Sequence, residues 1–552
     1  MTNVDVWNPP GPGPWQQDQA HSPEPMSRVV SELFPTPFAR GFHDTFATYG
    51  LLLDAMAIAV VNGFRYMQPQ PFDMPGPDGP PSHDHIVSEI GRRTELAAHA
   101  FEVQIWKEHL RQWDDELKPT AISQHRALNS VDLGALDAAA LVAHLRDCGN
   151  HVSAMVYQHH RFNVSAMMPV GDFLLQASAW VGMPPPALFA ALGGASPVTG
   201  LASSELTAVI GAVKSNSAAE QLVRGDGDPA DRIAALRAML PEVAEYLANT
   251  EYRISEGLDV WAPTAGECPD MQLGKIAAAL DVDPGAATRA AEEFANQLRS
   301  GLSGDQREAF DALLVEARRM YRLRDERGIY SDVSALGLLR LAMLEAGRRL
   351  CASGRIHETT HVLEAGLDEL CGMLGDSATP TADELAERGV VRVRRATEGA
   401  PRFLGPPAPP PPPVDMLPPP LARLMSAVGF MIEGVLGELP EPLGDNSVII
   451  GIPAGTGIYE GPARLVHDLD DLFLLEQGDV LVTPSTCEAF NAMIHLVGAI
   501  VTDHGSFASH AAIMARELGF PAVVGTVTGS RRIRDGAQVR VDATTGEVTV
   551  LG

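Results

Sequence analysis

Apolar residues recur at three- and four-residue spacing through much of residues 1–400, with Ala, Glu, Arg and Leu between them. This spacing is typical of amphipathic helices, which repeat about every 3.6 residues. It predicts helices near residues 97–116, 131–147, 201–214, 229–248, 286–300, 305–325 and 333–352. The Gly- and Pro-rich residues 8–14 and 69–81 are predicted to be loops. Residues 1–400 are therefore expected to form a large, mostly α-helical domain.

The pattern changes in the last quarter of the chain. Short runs rich in β-branched residues predict strands at residues 447–452, 479–483, 499–502, 522–524, 538–541 and 548–551. One helical stretch, residues 509–518, lies between two of these strands. Because a strand, a helix and a strand follow one another, residues 441–552 are predicted to form a small α/β domain.

A proline-rich segment separates the two patterns. Eleven of the twenty residues at 401–420 are proline. Proline has no N–H to donate, so such a segment is expected to stay outside sheets and helix interiors and to favour polyproline II. We therefore predict a linker over residues 401–440. It is either a passive tether or an arm that lets the C-terminal domain swivel between two sites.

The net charge of the chain argues against two classes of binding partner. The chain has 70 Asp and Glu against 41 Lys and Arg, which gives a formal charge of −29. This excess of negative charge argues against binding to nucleic acid or to an anionic membrane. The five cysteines form no CxxC pair, and neither a signal peptide nor a membrane-spanning apolar segment is recognisable. We expect a cytoplasmic protein.

The stretch that carries candidate chemistry is residues 502–512, Thr-Asp-His-Gly-Ser-Phe-Ala-Ser-His-Ala-Ala. A strand is predicted to end at Asp503, and a helix is predicted to begin with Ser509 as its N-cap. His510 then falls in the first turn, where free backbone N–H groups favour an anion. A neutral imidazole near pH 7 is a competent nucleophile toward phosphorus. Taken alone, such a histidine would be a structural or surface residue.

The wider context resembles the phosphohistidine (swivelling) domain of phosphoenolpyruvate-utilising enzymes. This family includes phosphoenolpyruvate synthase, pyruvate phosphate dikinase and rifampin phosphotransferase. The similarity covers the 502–512 stretch, Arg516, the Gly519-x-Pro521-Ala522 run and the preceding strands.

The resemblance implies that His510 is phosphorylated on its distal nitrogen. It also implies that the phosphoryl loop is supported by four further residues, which are Gly505, Ser506, Ser509 and Arg516. The family usually has glycine where this chain has Ser506. Because serine tolerates positive φ less well, we expect a reshaped loop.

The helical region resembles, more distantly, the substrate domain of rifampin phosphotransferases, through residues 324–327 and 347–356. Candidates for a substrate or phosphoryl pocket are His159, His160, Arg161, Arg324 and Glu326. Histidines supply a base, and arginines bind phosphoryl oxygens. The alternative is a histidine pair satisfied in the core beside an exposed, ion-paired helix face. No metal site is predicted, because the His83 and His85 pair lacks a third ligand nearby.

The resemblance implies a dikinase-type phosphotransferase with a phosphohistidine intermediate. Residues 1–400 do not resemble an ATP-grasp module, and about 40 residues follow His510, too few for a (β/α)₈ barrel. We therefore expect ATP and Mg²⁺ to reach the reaction through a separate ATP-grasp partner subunit. The expected acceptor is a small, apolar, hydroxyl-containing compound. Two alternatives stay open: a phospho-carrier or regulatory protein that hands phosphate to another protein, and a degenerate homologue that is never phosphorylated.

Overall fold

The computed structural model describes residues 5–19, 21–75, 79–198, 203–375, 377–407, 413–467, 469–486, 490–491 and 493–551, except 437–447. The chain forms two compact units, each assembled from three segments. The first unit contains Met1–Ser165, Asn249–Thr264 and Glu326–Met425, and the second contains Ala166–Ala248, Ala265–Asp325 and Ser426–Gly552. The domain boundaries expected at residues 400 and 441 remain a prediction.

The helices are α1 (Arg28–Leu33), α2 (Pro35–Tyr49), α3 (His83–Val103), α4 (Ile105–Gln112), α5 (Lys118–Asn129), α6 (Ala138–His160), α7 (Asn163–Val181), α8 (Ser204–Lys214), α9 (Ser217–Arg224), α10 (Pro229–Met239), α11 (Pro241–Thr250), α12 (Pro269–Asp281), α13 (Ala286–Ser300), α14 (Gly304–Gly328), α15 (Ser334–Ala352), α16 (Leu367–Leu374), α17 (Ala382–Glu398), α18 (Pro419–Leu436), α19 (Leu469–Leu472), α20 (His510–Leu518) and α21 (Gly529–Arg532). The strands are β1 (Trp15–Gln17), β2 (Leu53–Val61), β3 (Phe64–Pro71), β4 (Phe403–Leu404), β5 (Val448–Ile450), β6 (Ile452–Ala454), β7 (Ile458–Leu465), β8 (Val480–Thr483), β9 (Ala499–Thr502), β10 (Ala522–Val524), β11 (Gln538–Asp542) and β12 (Glu547–Val550).

The first unit contains a sheet that the apolar periodicity did not predict. Its four strands lie in the order β2-β3-β1-β4, all antiparallel. The β2–β3 hairpin turns at Asn62 and Gly63, which have φ of 52° and 87°. An Asn-Gly pair with two positive φ angles is a strong hairpin signal. The predicted loop over residues 69–81 is accordingly wrong at its start, because β3 continues to Pro71.

Two long helical stretches are irregular. The helix predicted over residues 97–116 is broken between α3 and α4, where Gln104 has φ of 51°. A π-helical turn, Trp113–Leu117, joins α4 to α5, and a second, Ile329–Val333, joins α14 to α15. The helix predicted over residues 131–147 begins only at Ala138, where the side chain of Asp137 caps it. Such π-turns insert an extra residue into the helix and re-aim the side chains beside it.

The proline-rich segment departs from its prediction at both ends. Phe403 and Leu404 form β4, which pairs with β1, so this stretch does join a sheet. A helix, α18, starts at Pro419 and runs to Leu436 within the predicted linker. Proline is compatible with the first turn of a helix, because the N–H that it lacks has no partner there. Residues 408–412, which contain most of the proline run, lie outside the described residues.

The second unit contains the predicted α/β region. Eight strands form one sheet in the order β5-β12-β11-β7-β8-β9-β10-β6, and β7 to β10 are parallel. The single strand predicted at residues 447–452 is in fact two strands, β5 and β6, which lie at opposite edges of this sheet. A hydrophobic core covers each face, and buried residues of α20 belong to one of these cores. The predicted fold class, a large mostly helical region with a small α/β sheet domain, is confirmed.

Candidate active site

The loop that carries His510 lies at the carboxyl edge of the parallel strands. β8 and β9 are neighbours in register, with Thr483 opposite Thr502. The segments that follow these two strands therefore leave the sheet at the same edge. The loop before α20 begins at Asp503, directly after β9, and His510 is the first residue of α20. The topology thus brings the segment after β8 to the histidine.

Both ring nitrogens of His510 have neutral hydrogen-bond partners. Nδ1 lies 2.9 Å from Oγ1 of Thr486, and Nε2 lies 3.1 Å from Oδ1 of Asn491. An amide oxygen only accepts, so this placement assigns the ring proton to Nε2, and the Thr486 hydroxyl then donates to Nδ1. With the Asn491 amide turned over, the proton would lie on Nδ1 and Nε2 would hold the lone pair. The pair of contacts fixes the orientation of the ring in either case.

The surroundings keep this imidazole neutral. Burial lowers the pKa of His510 to about 4, and the nearby charges of Arg324 and Lys275 act in the same direction. At pH 7 the ring is therefore neutral, with a proton on one nitrogen and a lone pair on the other. A neutral ring is the form of histidine that attacks phosphorus.

The loop before His510 needs a glycine at one position. Gly505 has φ of +113°, and a Cβ there would lie 2.8 Å from Oγ of Ser509. Ser506 does not need positive φ, because among the described residues only Asn62, Gln104 and Val527 are non-glycine residues with positive φ. A loop reshaped by Ser506 stays a prediction. The buried hydroxyl of Ser506 accepts from the backbone N–H of Ala508 at 3.4 Å.

Ser509 occupies the predicted N-cap position without capping. Its backbone is extended, with φ −72° and ψ 165°, as an N-cap requires. However, its side chain makes no capping bond, and its buried Oγ has no hydrogen-bond partner. A hydroxyl donor and the first N–H groups of α20 thus remain uncommitted beside His510.

Two arginines hold the backbone of the loop. Arg516 donates from Nη1 to the carbonyl oxygen of Phe507 at 2.6 Å, and Arg324 donates to the carbonyl of Ala508. The Phe507 ring stacks on Phe430, with centroids 5.0 Å apart. Burial lowers the pKa of Arg516 to about 10, so it still carries its charge at pH 7. The predicted loop residue Arg516 and the predicted pocket residue Arg324 thus bind neighbouring backbone carbonyls of the same loop.

The other predicted pocket residues lie in the first unit. His159 and His160 end α6, and Nδ1 of His159 lies 2.7 Å from Oδ2 of Asp332. Arg161 lies over the rings of Tyr157 and Phe162.

Glu326 is fully buried in the first unit. It accepts from Nε1 of Trp113 at 2.8 Å and from Nζ of Lys118 at 2.9 Å. Its charge is thus balanced within the core.

Sequence reasoning missed three residues near His510, which are Thr486, Asn491 and Lys275. A usable signal existed for the first two, because they follow a buried strand that runs parallel to the strand before His510. Polar side chains at the carboxyl ends of adjacent parallel strands converge. Lys275 lies on α12, more than two hundred residues away in sequence, and no local pattern connects it to the loop.

Comparison with known proteins identifies the C-terminal region. The family model "PEP-utilising enzyme, mobile domain" matches residues 475–546, which include His510 and its loop. This part of the chain is therefore similar to the mobile domain of phosphoenolpyruvate-utilising enzymes. The recognition made from the His510 motif is confirmed.

Three relatives extend this similarity. The chain is 29% identical to a chondramide synthase of Chondromyces crocatus over 57% of this chain and 8% of that protein. It is 26% identical to a rifampicin phosphotransferase of Streptomyces sviceus over 56% of this chain and 34% of the relative. It is 41% identical to a phosphoenolpyruvate synthase of Aquifex aeolicus over 20% of this chain and 13% of that enzyme. The chain thus spans about a third or less of each of these relatives.

Hydropathy adds one observation. Among the residues that the structure describes, no helix combines the length and the apolar character that crossing a bilayer requires.

Proposed function

We propose that this protein is a phosphotransferase that carries a phosphoryl group on His510 and passes it to a small, largely apolar, hydroxyl-containing compound. ATP, bound with Mg²⁺ by a separate ATP-grasp subunit, supplies the phosphoryl group. The match of residues 475–546 to the mobile domain supports the carrier step. The similarity to a rifampicin phosphotransferase supports a small-molecule acceptor. The observation that carries the proposal is the neutral, oriented imidazole at the start of α20.

The first step forms a P–N bond. Nε2 of His510 attacks the phosphorus, and the P–O bond to the leaving group breaks. This step requires the ring proton on Nδ1, donated to Oγ1 of Thr486, with the Asn491 amide turned or withdrawn from Nε2. The positive charges of Arg324 and Lys275 and the N-terminus of α20 lie near the developing negative charge.

The second step transfers the group to the acceptor. The hydroxyl oxygen of the acceptor attacks phosphorus, the P–N bond breaks, and Nε2 regains its lone pair. The hydroxyl proton passes to a base. An apolar site for the acceptor fits the helical region, which is rich in buried Leu, Val, Met and Phe side chains. No phosphoryl group is lost to water as long as the transfer site excludes it.

A test of the carrier step needs no partner subunit. Phosphoramidate, a small donor with an activated P–N bond, phosphorylates competent histidines. The purified chain should acquire one phosphoryl group that is stable in base and labile in acid, because a protonated imidazole leaves easily from phosphorus. His510→Ala should lose the label, and mass spectrometry at alkaline pH should map it to the peptide with residues 502–518.

The matched control is His504→Ala. His504 lies in the same loop, and burial lowers its pKa as well, so its ring is also neutral. We expect this variant to keep the label. Labelling that survives in His510→Ala, or that maps to His504, would contradict the proposal.

The source of the phosphoryl group has its own test. The purified chain alone should show no micromolar binding of ATP by calorimetry, with or without Mg²⁺. Adding the ATP-grasp subunit should then allow label from ATP to reach His510. Tight ATP binding by the chain alone would remove the need for a partner.

A further inference from the structure

A compact group of potential metal ligands lies in the first unit. It consists of His159, His160 and Asp332, which we call the imidazole cluster. One nitrogen of each histidine and one carboxylate oxygen of Asp332 all lie within 4.8 Å of one another. The two histidines end α6, and Asp332 belongs to the π-helical turn that joins α14 to α15. Isolated π-turns in long helices are frequent at functional sites.

Hydrogen bonds orient both imidazoles in the cluster. Nδ1 of His160 lies 2.7 Å from the carbonyl oxygen of Val156. Because a carbonyl only accepts, Nδ1 of His160 carries the proton and Nε2 holds a lone pair. Nδ1 of His159 lies 2.7 Å from Oδ2 of Asp332, and the two rings stack with centroids 4.4 Å apart. Histidine ligands are typically fixed in the way that His160 is, by a carbonyl or a carboxylate on the nitrogen that does not bind the metal.

The cluster is largely buried. Asp332 is fully buried, His160 is 6% exposed, and the side chain of His159 is 15% exposed. Buried charges in proteins are paired or coordinate metals.

The neighbouring cations have partners of their own. Arg65 forms a buried ion pair with Asp18 at 2.6 Å. Arg327 donates to Oδ1 of Asn163 and to the carbonyl oxygen of His159 at 3.1 Å. The carboxylate of Asp332 makes a short polar contact with His159, and the nearby charges of His160 and Arg327 also act on it. Its other oxygen accepts from the N–H of Val333 at 3.1 Å.

We propose that the imidazole cluster binds one divalent transition-metal ion of the class that prefers imidazole nitrogen, such as Zn²⁺ or Co²⁺. The ion takes the place of the proton between Nδ1 of His159 and Oδ2 of Asp332, and that proton moves to Nε2 of His159. His160 supplies Nε2 as the third ligand.

The observed spacing needs a small adjustment to hold an ion. Two ligand atoms held about 2.1 Å from a tetrahedral ion lie about 3.4 Å apart. Nδ1 of His159 and Oδ2 of Asp332 lie 2.7 Å apart, so they separate slightly when the ion replaces the proton between them. Three protein ligands leave at least one coordination position open, as in sites where the metal also binds water or a substrate oxygen. This inference does not depend on the phosphorylation of His510.

Co²⁺ is the probe, because its visible absorption reports on its ligands. The full chain, stripped with EDTA and dialysed, should bind one Co²⁺ with a visible band that Zn²⁺ then removes. His159→Gln and Asp332→Asn should each weaken binding by ~10- to 100-fold or more. The control is His85→Gln, which removes an exposed histidine at the start of α3 and should leave binding unchanged.

Two results would overturn the inference. One is a wild-type chain that takes up no Co²⁺ at micromolar concentration. The other is equal affinity in the wild type, His159→Gln and Asp332→Asn. If a variant loses its circular-dichroism signature of folding, X-ray absorption of the Co²⁺-loaded wild type decides. Two imidazoles in the metal's inner shell support the site, and a shell without imidazole excludes it.

Discussion

His510 and His159 are both held by an oxygen at Nδ1, but the two oxygens differ in charge. The partner of His510 is the hydroxyl of Thr486, at 2.9 Å, and the partner of His159 is the buried carboxylate of Asp332, at 2.7 Å. A phosphoryl group carries negative charge, so a carboxylate beside the nucleophile would repel it. A metal cation gains from that same carboxylate. The charge of one neighbouring oxygen thus suits each histidine to a different ligand.

The second difference is the partner on the other nitrogen. Nε2 of His510 meets the side-chain amide of Asn491, which offers an acceptor on one face and a donor on the other. An amide can therefore accompany either tautomer. In the imidazole cluster, the Val156 carbonyl allows only one tautomer of His160. His510 can exchange its ring proton between the two nitrogens, whereas the lone pair of His160 is fixed on Nε2.

The largest effect is expected from placing a carboxylate beside His510. In Asn491→Asp the new carboxylate would hold the proton on Nε2 and would face the incoming phosphoryl oxygens. At an effective dielectric constant near 20, two charges about 4 Å apart interact by ~4 kcal/mol. We expect labelling by phosphoramidate to slow by ~100-fold or more, since each 1.4 kcal/mol is about tenfold in rate.

Asn491→Ala is the matched neutral control, because it removes the same hydrogen bond without adding charge. Its labelling by phosphoramidate should slow much less than that of Asn491→Asp. Alkaline mass spectrometry of timed samples measures both labelling rates. Equal rates in the two variants would show that the charge of the neighbour is irrelevant to His510.

The converse test removes the carboxylate from the imidazole cluster. Asp332→Asn replaces the carboxylate by an amide of nearly the same shape and should weaken Co²⁺ binding by ~10- to 100-fold. The same variant should leave the labelling of His510 unchanged. Measuring both properties on one preparation separates loss of a ligand from general unfolding, which would lower both.

How far the amino-acid sequence predicts these two sites follows from the range of the interactions. His510 was predictable because its chemistry is local: a strand, a loop of small residues and a helix start within ten residues. The partners Thr486 and Asn491 come from the neighbouring strand's loop, and only strand order brings them near. Asp332 lies more than 170 residues from His159 on an irregular helical turn that periodicity does not indicate.

The same reasoning explains the errors in the fold. Residues 53–61 contain no strict alternation, because β2 is partly buried on both faces, so the apolar run resembles a helix segment as much as a strand. The Asn62-Gly63 turn was the better signal. For the segment at 401–420, proline content alone was misleading. Proline removes one hydrogen bond at its own position only. Phe403, Leu404 and the residues after Pro420 keep their N–H groups and can pair in a sheet or form a helix.

A smaller effect on the labelling rate is expected from removing the hydroxyl that orients His510. Thr486→Val keeps the shape of the side chain and removes the partner of Nδ1. The ring then loses the bond that favours a lone pair on Nε2, and a net hydrogen bond of ~1 kcal/mol corresponds to a roughly five- to tenfold slower labelling. Thr486→Ser should restore the wild-type rate. A valine variant that labels as fast as the wild type would show that Thr486 does not orient the nucleophile.

The smallest expected effect concerns the pKa of His510 itself. Burial lowers its pKa to about 4 in the folded chain, whereas an unfolded histidine titrates near ~6.5. As the pH falls below ~6.5, the unfolded chain therefore takes up a proton that folded His510 refuses, and this residue's contribution to stability declines through the window from about 6.5 to about 4. NMR of the chain with ¹³Cε1-labelled histidine measures the folded midpoint, and the signal missing from His510→Gln assigns it. A midpoint near 4 is the expected result. A midpoint near 6.5 would mean that His510 is largely protonated at pH 5.5, so that neutral partners and burial do not keep the ring ready for phosphorus.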